Sequence, residues 1–142
     1  MDRNEMYLTK MLRGESMGIN LYDMYIKKIP EGKYKREIES IKAEHIRHKT
    51  RIQNIMEHRN MEAGNEIGIQ GLITEAMTKA RLLFRNDPKK VIQEAYKGEK
   101  MGAEYSEKYL NEFSEDIRPD MEKIIHEAKE RVKKLEDIVR TL

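Results

Sequence analysis

Four side chains capable of acid–base or metal chemistry stand where a helical pattern calls for apolar ones: Glu15, His45, His48 and Glu99. In segment 38–55, Ile38, Ile41, His45, His48, Ile52 and Ile55 follow at spacings of 3, 4, 3, 4 and 3, a continuous helical stripe with two imidazoles at its centre. Glu15 holds the same central place among Leu8, Leu12, Ile19, Tyr22 and Ile26, and Glu99 among Ile92, Tyr96, Ala103, Ser106, Leu110 and Phe113. Burying an imidazole or a carboxylate is unfavourable unless a bound group or a neighbouring side chain satisfies it. The chain has no cysteine, which excludes disulfides, thiol catalysis and thiolate metal sites; any metal would be held by carboxylate and imidazole.

The elements that must position these residues follow from the same periodicity. Helix A is expected over about residues 3–28, closing on Lys27-Lys28 before Pro30-Glu31-Gly32, and helix B over about 33–58. Their short loop makes them antiparallel neighbours. Residues 59–71 contain three glycines and no sustained period, so they are expected to be irregular; Leu72, Ile73, Ala76, Ala80 and Leu83 suggest a short connecting helix. A crossover of this length would leave helices B and C parallel. Asp87-Pro88 is a helix start, a capping side chain followed by proline in the first turn, and helix C is expected to reach Phe113. After Ser114-Glu115-Asp116, helix D carries Met121, Ile125, Ala128, Val132, Leu135, Val139 and Leu142 on its stripe, with Arg131 at the margin. The expectation is one all-α domain over residues 1–142, a four-helix bundle.

Composition agrees with that class. Charged residues make up 38% and hydrophobic ones 38%, with three prolines, two phenylalanines and no tryptophan, a balance suited to amphipathic helices. The net charge of +2 is spread over interleaved acids and bases, which argues against nucleic acid as a partner. No stretch approaches about 18 apolar residues and the first residues lack an apolar leader run, so no membrane partner and a cytoplasmic location are expected. His126 falls off its stripe and is expected to be exposed, and His58 to meet carbonyls at a helix end. The ten methionines fall at core spacing and read as gap-fillers. The basic cluster Lys27, Lys28, Lys33, Lys35 and Arg36 reads as a solvated loop region. Tyr7, Tyr25, Tyr34 and Tyr109 are candidates for the face of a homodimer.

The chain also repeats itself. Gly14-Glu15-Ser16-Met17-Gly18 matches Gly98-Glu99-Lys100-Met101-Gly102 at an offset of 84, and Tyr22 lies near the counterpart of Tyr105. At an offset of 83, His45 and His48 fall on Ala128 and Arg131, and Glu44 on Glu127. The pattern reads as a duplicated helical hairpin. Interior glycines cost roughly 1 kcal/mol each relative to alanine, so they suggest close approach of helices A and C or room for something larger than a side chain, with a packing motif shared by descent as the alternative.

With one glutamate on each of two helices and a polar pair spaced i, i+3 on a third, the chain resembles the ferritin-like proteins and their dimetal-carboxylate site. The two Gly-Glu-x-Met-Gly segments and Glu44-His45-x-x-His48 are similar, more narrowly, to a bacterial ferritin-like family of uncharacterised function. The resemblance implies an A–B hairpin, a long crossover and a C–D hairpin. Where ferritin-like sites carry Glu-x-x-His on both B and D, this chain has His45-x-x-His48 on B, and Ala128 and Arg131 on D. The resemblance then implies a half-site: one divalent ion, iron or zinc, on Glu15, His45, His48 and Glu99, with a role in iron handling or oxidative stress. Glu44 and Glu127 are turned about 100° from the ligand positions. In the metal-free alternative, Arg131 pairs with Glu99 in place of the missing ion, while His45 and His48 bond Glu15 and Tyr22 or Tyr105 in a buried polar layer that fixes helix register.

Overall fold

A computed structural model describes residues 2–62, Glu75, Thr78 and residues 87–142. Among them are four α-helices and no strand: α1 (Arg3–Lys28), α2 (Lys33–His58), α3 (Pro88–Tyr109) and α4 (Arg118–Arg140). A single 3-10 turn, Leu110–Glu112, follows α3. The connecting helix expected over 72–83 lies outside the described residues, except for the helical Glu75 and Thr78.

Local chemistry sets the helix ends. The Asp2 side chain accepts from Asn4 N–H at 2.8 Å, and Asp87 accepts from Lys89 N–H at 3.0 Å with Pro88 in the first turn. The turn 29–32 closes through Gly32, whose φ of +148° is open to glycine and strained for other residues. Helix α3 stops at Tyr109, short of the expected Phe113. The chain tightens there into the 3-10 turn, which still delivers Phe113 to the core at 1% exposure. Asn4 anchors the next loop: its Oδ1 accepts from Ser114 N–H at 3.0 Å and its Nδ2 donates to Ser114 Oγ at 2.9 Å.

The apolar stripes meet as two core clusters. One gathers Tyr22, Tyr25, Ile38, Ile41, Val91, Ile92, Ala95 and Leu135; the other gathers Leu8, Leu12, Ile52, Met56, Phe113, Met121, Ile124 and Ile125. The first joins the C-terminal half of α1 to the N-terminal halves of α2 and α3 and the C-terminal half of α4. Helices α1 and α2 are therefore antiparallel, as are α3 and α4, whereas α2 and α3 run parallel, as expected for a long crossover. Burying each Leu, Ile or Met fully contributes about 1.5–3 kcal/mol, so these clusters supply the main stabilisation. Two stripes are rotated from expectation. Val91 and Ala95 are buried beside Ile92 while Tyr96 is half-buried, and Arg131, at 7% exposure, sits inside while Val132 is half-buried.

The tyrosines expected at a dimer face are occupied within the chain. Tyr25 packs edge-on against Tyr22 with ring centroids 5.3 Å apart, Tyr7 and Tyr109 pair at 5.0 Å, and Tyr34 is packed against the first cluster. No helix among the described residues is long and apolar enough to cross a membrane.

The helix glycines divide into two kinds. A Cβ on Gly18 would lie 2.9 Å from His45 Nε2, so this glycine makes room for the imidazole; at Gly14, Gly98 and Gly102 an added Cβ meets nothing within 4 Å among the described residues. Gly98→Ala should therefore raise unfolding free energy by about 1 kcal/mol through helix propensity, while Gly18→Ala should lower the melting temperature by pushing on a ring that cannot yield. Thermal and urea denaturation of the two variants checks both signs.

Candidate functional site

Between the two apolar clusters lies a polar layer drawn from all four helices. Glu15, His45, Glu99 and Arg131 are 9%, 6%, 7% and 7% exposed, so their charges must be met inside the protein. The His45 ring is at the centre. Its Nδ1 lies 2.5 Å from Glu15 Oε2 and its Nε2 2.6 Å from Glu99 Oε1. Both partners are carboxylates, which only accept, so both ring nitrogens donate and His45 is an imidazolium. Tyr22 stacks on the ring at 5.4 Å, with Gly18 against it as well.

Glu99 is saturated. Its Oε1 also accepts from the Tyr22 hydroxyl at 2.5 Å, and its Oε2 accepts from Arg131 Nε at 2.9 Å. Arg131 uses NH1 to donate to Glu44 as well. The pairing of Arg131 with Glu99, and that of His45 with Glu15, are those expected for the metal-free layer. Tyr105, the other candidate partner, is 53% exposed and lies outside the layer, with Lys108 over its ring.

The electrostatics follow from these contacts. Burial by itself pushes the His45 pKa down, but the Glu99 charge and the hydrogen bonds to Glu15 and Glu99 overcome it and hold the value at about 9. Burial likewise raises the Glu99 carboxyl, and the charges of His45 and Arg131 with the hydrogen bonds from His45 and Tyr22 bring it down to about 2. Glu15 is lowered against its own burial by His45 and His48. The Tyr22 hydroxyl is pushed well above its ordinary value, first by burial and then by the Glu99 charge.

His48 departs from the expected arrangement. It is 3% exposed, yet among the described residues Nδ1 has no hydrogen-bond partner: Glu15 Oε1 lies 3.7 Å away, beyond hydrogen-bonding distance. Its Nε2 points toward the α2–α4 interface, 3.4 Å from Glu127 Oε2 and 4.0 Å from Glu44 Oε1. The four residues expected as ligands therefore split. Glu15, His45 and Glu99 are joined to one another, with both His45 nitrogens occupied, while His48 stands between Glu15 on its Nδ1 edge and Glu127 and Glu44 on its Nε2 edge.

Among the described residues, the histidine and carboxylate atoms placed to share an ion are those of Glu44, His48 and Glu127, all within 4.8 Å of one another. Donors about 2.0–2.2 Å from a common ion stand roughly 3–4 Å apart, so this group needs only a small contraction to close on one. Glu44 and His48 are four residues apart on one face of α2, and Glu127 reaches in from α4. Sequence periodicity turned both glutamates about 100° away from the expected ligand positions. The signal that could have promoted them is the repeat, which makes them counterparts and so places them opposite each other.

His58 and His126 behave as expected, His58 Nδ1 bonding Asn54 O at 2.9 Å and His126 being exposed. No family model, curated protein or solved structure matches the chain.

Two outcomes follow from the layer. The His45 pKa of about 9 lies above the unfolded value near 6.5, so His45 contributes stability that is complete below pH 6.5 and is lost as pH rises through 9. Urea unfolding of wild type should weaken over that window, on the order of 3 kcal/mol, and His45→Gln should remove the slope. Arg131→Leu leaves Glu99 and Glu44 without their cation and should cost about 3–5 kcal/mol, a fall in Tm of roughly 10 °C or more. An unchanged Tm would mean that the guanidinium does not neutralise Glu99.

Proposed function

We propose that this protein is a divalent-metal-binding helical bundle and that the ion is held by Glu44, His48 and Glu127. The observation that carries this reading is His48 itself: a buried imidazole with one nitrogen unpartnered and the other facing two carboxylates at 3.4 and 4.0 Å. A buried histidine left this loosely held is costly unless a further group completes its bonding.

Charge balance supports the same reading. The layer and its margin bring together the carboxylates of Glu15, Glu44, Glu99 and Glu127 against the cations of His45 and Arg131, an excess of two negative charges. A divalent ion bound through uncharged His48 removes both. One imidazole and two carboxylates suit zinc or iron(II), and such an ion supplies Lewis acidity, with one-electron chemistry added if it is iron. Arg131 positions Glu44, and Glu15 faces the other edge of the His48 ring.

On this reading the bundle is ferritin-like, with a two-ion site reduced to one. The inner half has become an imidazolium network, and the ion has moved outward by one position on α2 and α4. Metal handling, of iron or zinc, is the function it supports.

Protein purified without a histidine tag should carry about one zinc or iron per chain, and His48→Ala or Glu127→Gln should weaken binding by about tenfold or more. Glu15→Gln should leave the stoichiometry in place, which separates this site from one built on Glu15, His45, His48 and Glu99. Elemental analysis and competition with a chelator read the outcome. Substoichiometric metal that is indifferent to His48→Ala would leave the layer as a purely structural network.

A further inference from the structure

A cleft of about 340 Å³ runs between α1 and α3 on the side of the layer away from His48, and the two Gly-Glu-x-Met-Gly segments face each other across it. Each wall carries two glycines spaced i, i+4, Gly14 and Gly18 on α1 and Gly98 and Gly102 on α3, so each presents a strip of bare backbone. Among the described residues, nothing lies within 4 Å of a Cβ added at Gly14, Gly98 or Gly102, although each glycine costs its helix about 1 kcal/mol.

The rest of the lining is mostly apolar, with Met11, Met17, Tyr25, Met101 and Tyr105 beside aliphatic side chains, and its two further charged residues, Lys10 and Glu94, are of opposite sign. Met101 and Tyr105 are 59% and 53% exposed at the rim, a large apolar surface to leave in water. At the floor are Glu15, His45 and Glu99 with Arg131 and Tyr22. There two carboxylates meet two cations, so the floor offers no net charge to an entering group. The volume lies at the lower end of the range for small-molecule pockets, whereas a helix with its side chains is about 10–12 Å across and needs more room.

We infer that this cleft is a binding site for an uncharged planar aromatic molecule. Its rings lie flat between the glycine strips, edged by methionine sulfur and tyrosine rings, contacts favourable to an aromatic guest. A fixed charge of either sign on the ligand would be buried against a floor whose carboxylates and cations already answer one another. The inference does not depend on the metal reading, because Glu44, His48 and Glu127 do not line the cleft.

The test uses the full chain and a pair of fluorescent probes, neutral phenylnaphthylamine and its sulfonated analogue anilinonaphthalene sulfonate. The neutral dye should bind saturably at one site per chain with Kd of about 10–100 µM, and the sulfonate about tenfold or more weakly. The double variant Gly98→Leu/Gly102→Leu fills the cleft from α3 and should weaken the neutral dye by about tenfold or more, with circular dichroism unchanged. Gly14→Leu, from the opposite wall, should do the same, so that misfolding of one variant does not decide the result. No saturable binding, equal binding of both dyes, or binding indifferent to both fillings would overturn the inference. So would a filled variant that changes the oligomeric state in gel filtration, since the cleft would then be a contact between copies.

Discussion

A single imidazolium clamped between two carboxylates is the constraint on which the rest of this bundle depends. His45 joins Glu15 of α1 to Glu99 of α3 at 2.5 and 2.6 Å, while its own backbone belongs to α2. Arg131 then ties Glu99 to α4. Four helices are thereby held at one height by groups that cannot slip by a turn without stranding a buried charge. The apolar clusters on either side are less particular, since Leu, Ile and Met tolerate small shifts in register.

The duplication in the sequence gives the layer its form. Glu15 and Glu99 are counterparts, and they grip the two nitrogens of one histidine whose own counterpart is the small Ala128. Glu44 and Glu127 are counterparts too, and they cross-pair at the α2–α4 interface: Glu44 accepts from Arg131, and Glu127 approaches His48. His48 and Arg131 are again counterparts. The two halves therefore make equivalent contacts, with a fixed cation in one and an imidazole in the other. An imidazole can exchange a proton for a metal ion, which a guanidinium does not do. That difference confines the candidate metal position to one half.

The same arrangement separates two environments. Toward α1 and α3 the layer closes on itself, with carboxylates and cations in balance beneath a glycine-lined cleft. Toward α2 and α4 it keeps an excess of carboxylate around His48. Gly18 makes this asymmetry possible, because only a residue without a side chain lets the His45 ring lie against α1 and reach both glutamates.

The sequence by itself determined the helices and their order. Spacings of 3 and 4 delimited α1 and α2, Asp87-Pro88 marked the start of α3, and the short and long connections made the hairpins antiparallel and α2 parallel to α3. It also placed Glu15, His45, His48 and Glu99 at one level, because each occupies the middle of its stripe, with Arg131 at a stripe margin and its pairing with Glu99 standing as the alternative to a bound ion. The tertiary structure decided how far each helix is turned about its axis. Residues on a stripe margin move between core and surface with a small rotation, and this brought Arg131 inside, drew Glu44 and Glu127 to the layer, and left Tyr105 on the rim. It also decided which way each imidazole faces. That choice depends on side chains from three other helices, none of which is a sequence neighbour, so no local pattern could place His45 in the network and leave His48 outside it.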